Sequence, residues 1–209
     1  MTSDEAATAG LILAGGLARR MGGGHKMLRR VGGETVLGRL TERLRPHVAA
    51  LALNVNADPR LFAAFGLPLI ADDLPGFPGP LAGVLAGLEW MARTNSALKW
   101  LATVPGDAPF IPSDLISRLH RERRRQHAEL ASAASAGRTH PVVAIWPVAI
   151  KDALRRALVE QGIRKIDRFT ADYKCAIAEW PDRPLDPFFN VNTPEDLAEA
   201  ERLVAAEAG

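Results

Sequence analysis

Short apolar runs alternate along the chain with stretches whose apolar residues recur at helical spacing. This alternation is typical of βαβ units, and near-continuous apolar runs are typical of parallel strands covered on both faces. The runs predict six strands, at Gly10–Ala14, Leu51–Val55, Leu67–Ala71, Trp100–Val104, Val142–Trp146 and Cys175–Trp180.

The stretches between these runs place apolar residues on one face of a helix. The last helix has the clearest start, because Thr193 can serve as its N-cap and Pro194 suits the first helical position. Five helices are predicted, at Thr35–Arg45, Pro80–Arg93, Pro112–Gln126, Pro147–Glu160 and from Pro194 onward.

This order of elements predicts an α/β fold, a three-layer α/β/α sandwich with a mostly parallel, Rossmann-like nucleotide-binding sheet. Residues 1–9 are expected to be a disordered N-terminal lead-in, and residues 10–207 a single domain. The segment Ala128–Thr139 is small and polar, and its periodicity fits a strand and a loop equally. In such a sheet, ligands bind beyond the carboxyl ends of the strands.

The composition limits which cellular compartment and which classes of binding partner are expected. Cys175 is the one cysteine, so an internal disulfide is excluded and a reducing, cytoplasmic location is expected. No apolar run approaches the roughly 20 residues of a membrane helix, and the acidic start does not suit a signal peptide. A net charge of +2 and 6% aromatic residues do not call for nucleic acid. The basic run Arg118–Arg125 is interpreted as a solvated helix face, with a nucleic-acid contact as its alternative.

The most informative segment follows the first predicted strand. The apolar run stops at Gly15-Gly16, a second glycine cluster follows, and Arg19, Arg20 and Lys26 lie among the glycines. Glycine lets backbone N–H groups approach an anion, and the cations neutralise it, which suits a triphosphate. The alternative is a flexible, glycine-rich surface turn with solvated arginines.

A carboxylate follows the strand predicted at Trp100–Val104. Asp107 lies in a proline-rich turn at the carboxyl edge of the sheet, where a hard oxygen ligand can hold Mg²⁺ against phosphates. The alternative is a helix cap or turn former. That alternative is weakened because Ser113 or Asp114 can cap the next helix.

Three further strand ends carry polar or glycine-rich groups. Asn54-Val55-Asn56 and Asp72-Asp73 follow two strands, and the loop that contains Gly79 and Gly83 leads into a helix. Each alone fits an ordinary turn. Together they line one edge of the predicted sheet, which favours a ligand site.

Several motifs carry a family resemblance. They are Leu13-Ala14-Gly15-Gly16-x-x-Arg19-Arg20-Met21-Gly22…Lys26, Pro78-Gly79-Pro80-Leu81-Ala82-Gly83, Gly106-Asp107-Ala108-Pro109, His140-Pro141 and Asn190-Val191-Asn192-Thr193-Pro194-Glu195. Their set and order resemble the nucleoside-triphosphate transferases and, more closely, the molybdenum cofactor guanylyltransferases. The matches run from residue 10 to about residue 200. One departure is His25, where members often have aspartate.

The resemblance implies an Mg²⁺-dependent nucleotidyltransferase that joins GMP from GTP to the terminal phosphate of molybdopterin and releases pyrophosphate. It implies catalytic roles for Asp107, Lys26, Arg19 and Arg20, with Asp107 as the metal ligand. It implies substrate contacts by Leu13, Ala14, Gly15, Lys26, Asn54, Asp72, Gly83 and Asp107, and by Asn190 and Asn192 on the cofactor side of the cleft. Cofactor-delivery proteins and molybdoenzyme chaperones are the expected protein partners, and the expected state is a monomer.

Two alternatives remain at this point. The first is a molybdopterin cytidylyltransferase that uses CTP, although the Gly15-Gly16 pair favours guanine, since CTP-using members tend to carry Ala-Ala-Gly there. The second is a non-catalytic GTP- or cofactor-binding module, which would not need Asp107. The change to His25 is harmless if the usual aspartate only shapes the loop. If that aspartate tunes Lys26, His25 weakens nucleotide binding or makes it pH-sensitive.

Overall fold

The computed structural model describes residues 2–14, 25–74 and 79–207, and its strands follow the predicted order with revised bounds. The strands are β1 (Thr8–Leu13), β2 (Arg30–Val31), β3 (Glu34–Thr35), β4 (Ala50–Asn54), β5 (Leu69–Ile70), β6 (Trp100–Pro105), β7 (Leu130–Ser135), β8 (Arg138–Pro147) and β9 (Cys175–Trp180). The helices are α1 (Ser3–Ala6), α2 (Val36–Leu44), α3 (Pro80–Thr94), α4 (Leu115–Arg125), α5 (Lys151–Val159), α6 (Ile166–Thr170) and α7 (Pro194–Glu207).

The main sheet has the strand order β5-β4-β1-β6-β8-β7-β9, and β2 and β3 form a separate hairpin. All neighbours in the main sheet are parallel except β8, which runs antiparallel to both β6 and β7. The carboxyl ends of β5, β4, β1 and β6 therefore meet at one edge. This mostly parallel sheet between helices confirms the predicted α/β sandwich.

Apolar side chains leave the sheet on both faces because successive residues of a strand point in opposite directions. In β1, Ile12 packs into one apolar cluster and Leu11 into the other, and both are fully buried. The first cluster takes in residues of α2, α4 and α7, and the second takes in residues of α3, α5 and α6. The two clusters hold the three layers together.

The expectation of a disordered lead-in at residues 1–9 is wrong for the residues that the structure describes there. Thr2 caps α1 through a capping box with Glu5, and the buried Thr8 already belongs to β1. The Asp4 carboxylate accepts a hydrogen bond of 2.7 Å from Arg123 on α4. The helix cap and this ion pair hold the segment in place, which its short acidic sequence did not predict.

The undecided segment at Ala128–Thr139 contains β7 and the start of β8. The two strands are joined by a turn in which Ala136 and Gly137 have φ of 50° and 71°. All six residues of β7 are buried, because the strand lies between β8 and β9 and under helices. Small side chains fit such a position, but they leave no hydrophobic pattern to detect.

The basic run of α4 meets partners within the protein. Arg123 lies 4.1 Å above the Trp100 ring, and Arg118 lies 4.7 Å above the Trp180 ring. Arg124 joins Arg123 at Asp4, with an N–O distance of 3.3 Å. No helix in the described part of the chain is long and apolar enough to cross a membrane.

Candidate active site

A cavity of about 450 Å³ opens at the carboxyl edge of β5, β4, β1 and β6. It brings together six of the residues predicted to bind substrate: Leu13, Ala14, Lys26, Asn54, Asp72 and Asp107. Met27, Val55, Asn56, Gly79 and Gly106 also line it. Gly15, Arg19 and Arg20 lie outside the residues that the structure describes.

Backbone hydrogen bonds hold the strand ends in place around this cavity. The Gly106 N–H donates to the Leu13 carbonyl at 2.9 Å, and the Ala14 N–H donates to the Asn54 carbonyl at 2.9 Å. A Cβ at Gly106 would stand 3.0 Å from the Met27 side chain and 3.3 Å from the Leu13 carbonyl oxygen. Glycine therefore lets the β6 turn approach β1 and brings Asp107 close to it.

Asp107 and Lys26 lie together at one end of the cavity. Burial raises the pKa of Asp107, and the positive charge of Lys26 opposes that shift. The described residues hold no group of three or more histidine, cysteine, aspartate or glutamate side chains that could bind a metal by itself. A lone carboxylate still fits Mg²⁺, because this ion is often held by one or two carboxylates together with substrate phosphates and water.

A network of amide hydrogen bonds surrounds Asp72 at the other end of the cavity. The Asn54 Nδ2 amide donates to Asp72 Oδ1 at 2.9 Å, and the Asn56 Nδ2 amide donates to Asp72 Oδ2 at 2.7 Å. The Asp72 N–H donates in turn to Asn56 Oδ1 at 2.9 Å. The sequence placed Asn56 among the polar strand ends without assigning it a contact, although its spacing of two residues from Asn54 could have placed both amides on one side of the chain.

Gly83 was expected to contact substrate, but the structure gives it a packing role behind the cavity. It is buried on α3 and is not among the residues that line the cavity. A Cβ at this position would meet the Asn54 side chain and would stand 2.6 Å from Leu13 Cδ2. Its missing side chain lets α3 approach the ends of β1 and β4.

A second cavity, of about 400 Å³, lies beside the first. Its lining is mostly polar: Arg138, Thr139, His140, Asp186, Phe188, Phe189, Asn190, Asn192 and Asp196. Lys26 of the first cavity donates through Nζ to Asn192 Oδ1 at 2.6 Å, and so links the two cavities. The predicted residues Asn190 and Asn192 thus lie together in this neighbouring cavity.

The loop before α7 holds Asn192 in position. The Val191 N–H donates to the Asp107 carbonyl at 2.8 Å, which joins this loop to the β6 turn. The Asp196 carboxylate accepts from the N–H groups of Asn192 and Thr193, both at 2.9 Å. Thr193 Oγ1 accepts from the Asp196 N–H at 3.1 Å, as the predicted N-cap should.

Ser135, His140 and Asp186 meet at the second cavity, but not in the arrangement of a nucleophilic triad. The fully buried Ser135 hydroxyl donates to Asp186 Oδ1 at 2.8 Å and contacts His140 Nε2 at 2.7 Å. Burial lowers the pKa of His140, which the negative charge of Asp186 opposes. Because the serine proton goes to Asp186, the group braces the cavity wall and does not activate a nucleophile.

His25 and Asp114 both contact aromatic side chains. The His25 ring packs edge-on against Phe62, with 5.3 Å between ring centroids, so this position before Lys26 serves as an apolar contact. Asp114 occupies the N-cap of α4 without a capping hydrogen bond from its side chain. Its Oδ1 instead accepts from Trp180 Nε1 at 2.8 Å.

A lysine and a hard carboxylate at the carboxyl edge of such a sheet, where ligands bind, suit a ligand that carries phosphate groups. The model of one family, the MobA-like NTP transferase domain, matches residues 10–179. A molybdenum cofactor guanylyltransferase of Rhodopseudomonas palustris (strain BisB5) is 57% identical over 206 residues, 99% of this chain and 98% of the relative. One of Nitrobacter hamburgensis is 52% identical over 209 residues, the full length of both chains.

The chain therefore belongs to the molybdenum cofactor guanylyltransferases within the MobA-like NTP transferases, and it is a nucleotidyltransferase. Solved structures share the fold. Molybdopterin-guanine dinucleotide biosynthesis protein A of Archaeoglobus fulgidus superposes with a TM-score of 0.74 at 23% identity, over 95% of this chain and 99% of that chain. The 4-diphosphocytidyl-2C-methyl-D-erythritol synthase of Anaerococcus prevotii superposes with a TM-score of 0.73 at 13% identity, over 97% of each chain.

Proposed function

We propose that this protein transfers GMP from GTP to the terminal phosphate of molybdopterin and releases pyrophosphate. The observation that carries the proposal is the contact between Lys26 and Asn192, which links two adjacent cavities. Two adjacent cavities with a cation between them suit a transferase of two anionic substrates. The names of the full-length relatives support guanine and the molybdenum cofactor as the two substrates.

In this proposal, GTP occupies the first cavity. Backbone groups of Leu13, Ala14 and Gly15 line its guanine and ribose, and Asn54 and Asp72 form the end of the cavity away from Asp107. Lys26, Arg19 and Arg20 hold the triphosphate. The molybdopterin phosphate enters from the second cavity, beside Asn190 and Asn192.

The reaction needs charge neutralisation more than it needs a base. The acceptor phosphate is already an anionic nucleophile, so the difficult step is to bring two anions together while negative charge develops on pyrophosphate. Lys26 lies between the cavities and can neutralise both substrates. Asp107 would hold Mg²⁺ together with phosphate oxygens, and the ion when bound would neutralise charge on the triphosphate.

The proposal also includes the location of the enzyme, its oligomeric state and its protein partners. A free Cys175 and a family of cofactor-maturation enzymes support a cytoplasmic location. We propose a monomer that receives molybdopterin from delivery proteins and passes the product to molybdoenzyme chaperones.

The direct test offers the purified protein each nucleoside triphosphate with molybdopterin and Mg²⁺, and follows pyrophosphate. We expect release with GTP. Release with CTP but not with GTP would show a cytidylyltransferase, and no release with any nucleotide would show a binding module.

The Asp107→Asn variant tests the metal ligand in the same assay. We expect turnover to fall by on the order of 100-fold, because the variant loses the carboxylate that would hold the charge-neutralising Mg²⁺. Asp152→Asn, which removes an exposed carboxylate on α5, is the matched control and should leave turnover unchanged. Full activity of Asp107→Asn would remove this residue from the mechanism.

A further inference from the structure

The Asp72 carboxylate is held by amide groups on both of its oxygens. Asn54 donates to Oδ1 and Asn56 donates to Oδ2, at 2.9 and 2.7 Å. Asn56 also accepts the Asp72 N–H at 2.9 Å, so the two residues form a reciprocal pair. This pair fixes both the position and the plane of the carboxylate.

The amide donors around Asp72 are largely used within the protein. Asn54 Nδ2 donates its second hydrogen to the Ile70 carbonyl at 3.1 Å, so both of its amide hydrogens have partners. A carboxylate has about four acceptor positions, and only two of those on Asp72 receive side-chain amides. The end of the cavity therefore presents acceptors to a ligand.

The strand order places this acceptor end opposite the phosphate end. Asp72 follows β5 and Asp107 follows β6, and the order β5-β4-β1-β6 puts three strand spacings between them, about 14 Å. A nucleotide with its phosphates at Lys26 and Asp107 consequently brings its base towards Asp72.

Burial does not explain why asparagine occupies position 56. Asn56 is exposed, whereas Asn54 is buried with 6% of its surface exposed. An exposed residue that makes two hydrogen bonds to Asp72, one to its carboxylate and one from its backbone N–H, is not required for the core. Its contacts serve Asp72.

We propose that Asn56 is a positioning residue for base selection, which holds Asp72 so that its carboxylate accepts from the adjacent N1–H and N2–H donors of guanine. The inference rests on the proposed function in taking GTP as the nucleotide. Adenine and cytosine present one amino group beside a ring nitrogen acceptor, and the lone pair of that nitrogen faces a carboxylate unfavourably. A fixed acceptor therefore selects guanine both by attraction and by repulsion.

The test measures binding of GTP and of inosine triphosphate, which lacks the N2 amino group, to wild type and to Asn56→Ala, by calorimetry with Mg²⁺ and without molybdopterin. We expect wild type to prefer GTP, and the variant to lose roughly tenfold in GTP affinity with a smaller loss for inosine triphosphate, which offers Asp72 only its N1–H. Asp72→Asn should lose the same preference. Asn95→Ala, which removes an exposed side chain that accepts from the Ala97 N–H at 2.9 Å, is the matched control and should keep it.

Turnover separates a positioning role from a structural one. In Asn56→Ala the KM for GTP should rise while kcat stays within about twofold, and the KM for molybdopterin should not change. If the variant keeps the preference for GTP over inosine triphosphate, or loses affinity for both equally, the inference is wrong. These outcomes differ from the one that would overturn the proposed function, which fails if wild type transfers CMP and not GMP.

Discussion

At the scale of single residues, the cavity depends on side chains that work in pairs. Lys26 contacts Asn192, and Asp72 contacts Asn56, so in each pair a charged group is positioned by an amide. Gly83 contributes by its lack of a side chain, because it leaves space for Asn54. A substitution at a positioning residue should therefore act through its charged partner.

Gly83→Ala should destabilise the protein, although alanine is the better helix former. The helix preference favours alanine by roughly 0.5–1 kcal/mol, whereas overpacking against Asn54 and Leu13 costs about 1–3 kcal/mol. Urea unfolding should show a net loss, and the displaced Asn54 should weaken GTP binding. Gly38→Ala on α2 is the comparison, because the atoms nearest to its added Cβ belong to the exposed Glu34 side chain, which can turn away, and to the Thr35 hydroxyl. A more stable Gly83→Ala would contradict the close approach of α3 to β4.

At the scale of elements, ion pairs join helices that the apolar clusters bring together. Glu89 of α3 accepts from Arg155 Nε of α5 at 2.9 Å, and only 10% of the glutamate side chain is exposed. Asp4 of α1 pairs with Arg123 of α4 on the opposite face of the sheet. Each pair fixes one helix against another.

Arg155→Ala should destabilise the protein more than removal of an exposed pair. It leaves the buried Glu89 carboxylate without its charge-assisted hydrogen bonds, at a cost of about 1–3 kcal/mol. Lys151→Ala, which removes a cation that pairs at 2.8 Å with the exposed Asp152, should cost less than about 0.5 kcal/mol. Urea unfolding of both variants measures the difference, and equal effects would show that the α3–α5 pair contributes no more than an exposed pair.

The contact between α1, β1 and α4 should make stability depend on pH. Burial lowers the pKa of His120 to about 4, Asp4 and Glu5 oppose that shift, and Arg123 and Arg124 add to it. The unfolded chain, with a histidine pKa near 6.5, binds the proton first as pH falls. Stability should therefore decrease from about pH 6.5 to about pH 4, by up to roughly 3 kcal/mol.

The His120→Gln variant tests this source of the pH dependence. Glutamine can still donate to Thr8 Oγ1, which lies 2.8 Å from His120 Nε2, but it cannot titrate. Urea unfolding between pH 7.5 and 4.5 should show a smaller slope in the variant than in wild type. Equal slopes would assign the pH dependence to other groups.

At the scale of the whole molecule, the sequence predicted which residues line the site better than it predicted the long-range contacts between them. Apolar runs predicted six strands, and the residues after them predicted most of the first cavity. The small residues of β7 carried no pattern, and nothing local indicated that β8 runs antiparallel. The contact between Lys26 and Asn192 spans 166 positions in the chain, so only the folded sheet could bring them together.

The link between the two cavities yields a prediction about the whole reaction. Asn192→Ala frees the Lys26 ammonium, while the backbone bond from Val191 to the Asp107 carbonyl should keep the loop in place. Substrate binding should change little, but kcat should fall by roughly tenfold, because the cation no longer holds a fixed position between the reacting anions. Asn192→Asp should be worse, since a carboxylate would both neutralise Lys26 and repel the phosphates. Steady-state kinetics with each substrate varied in turn measures these effects. A variant that raises only the KM for molybdopterin would limit Asn192 to the second cavity and remove the coupling.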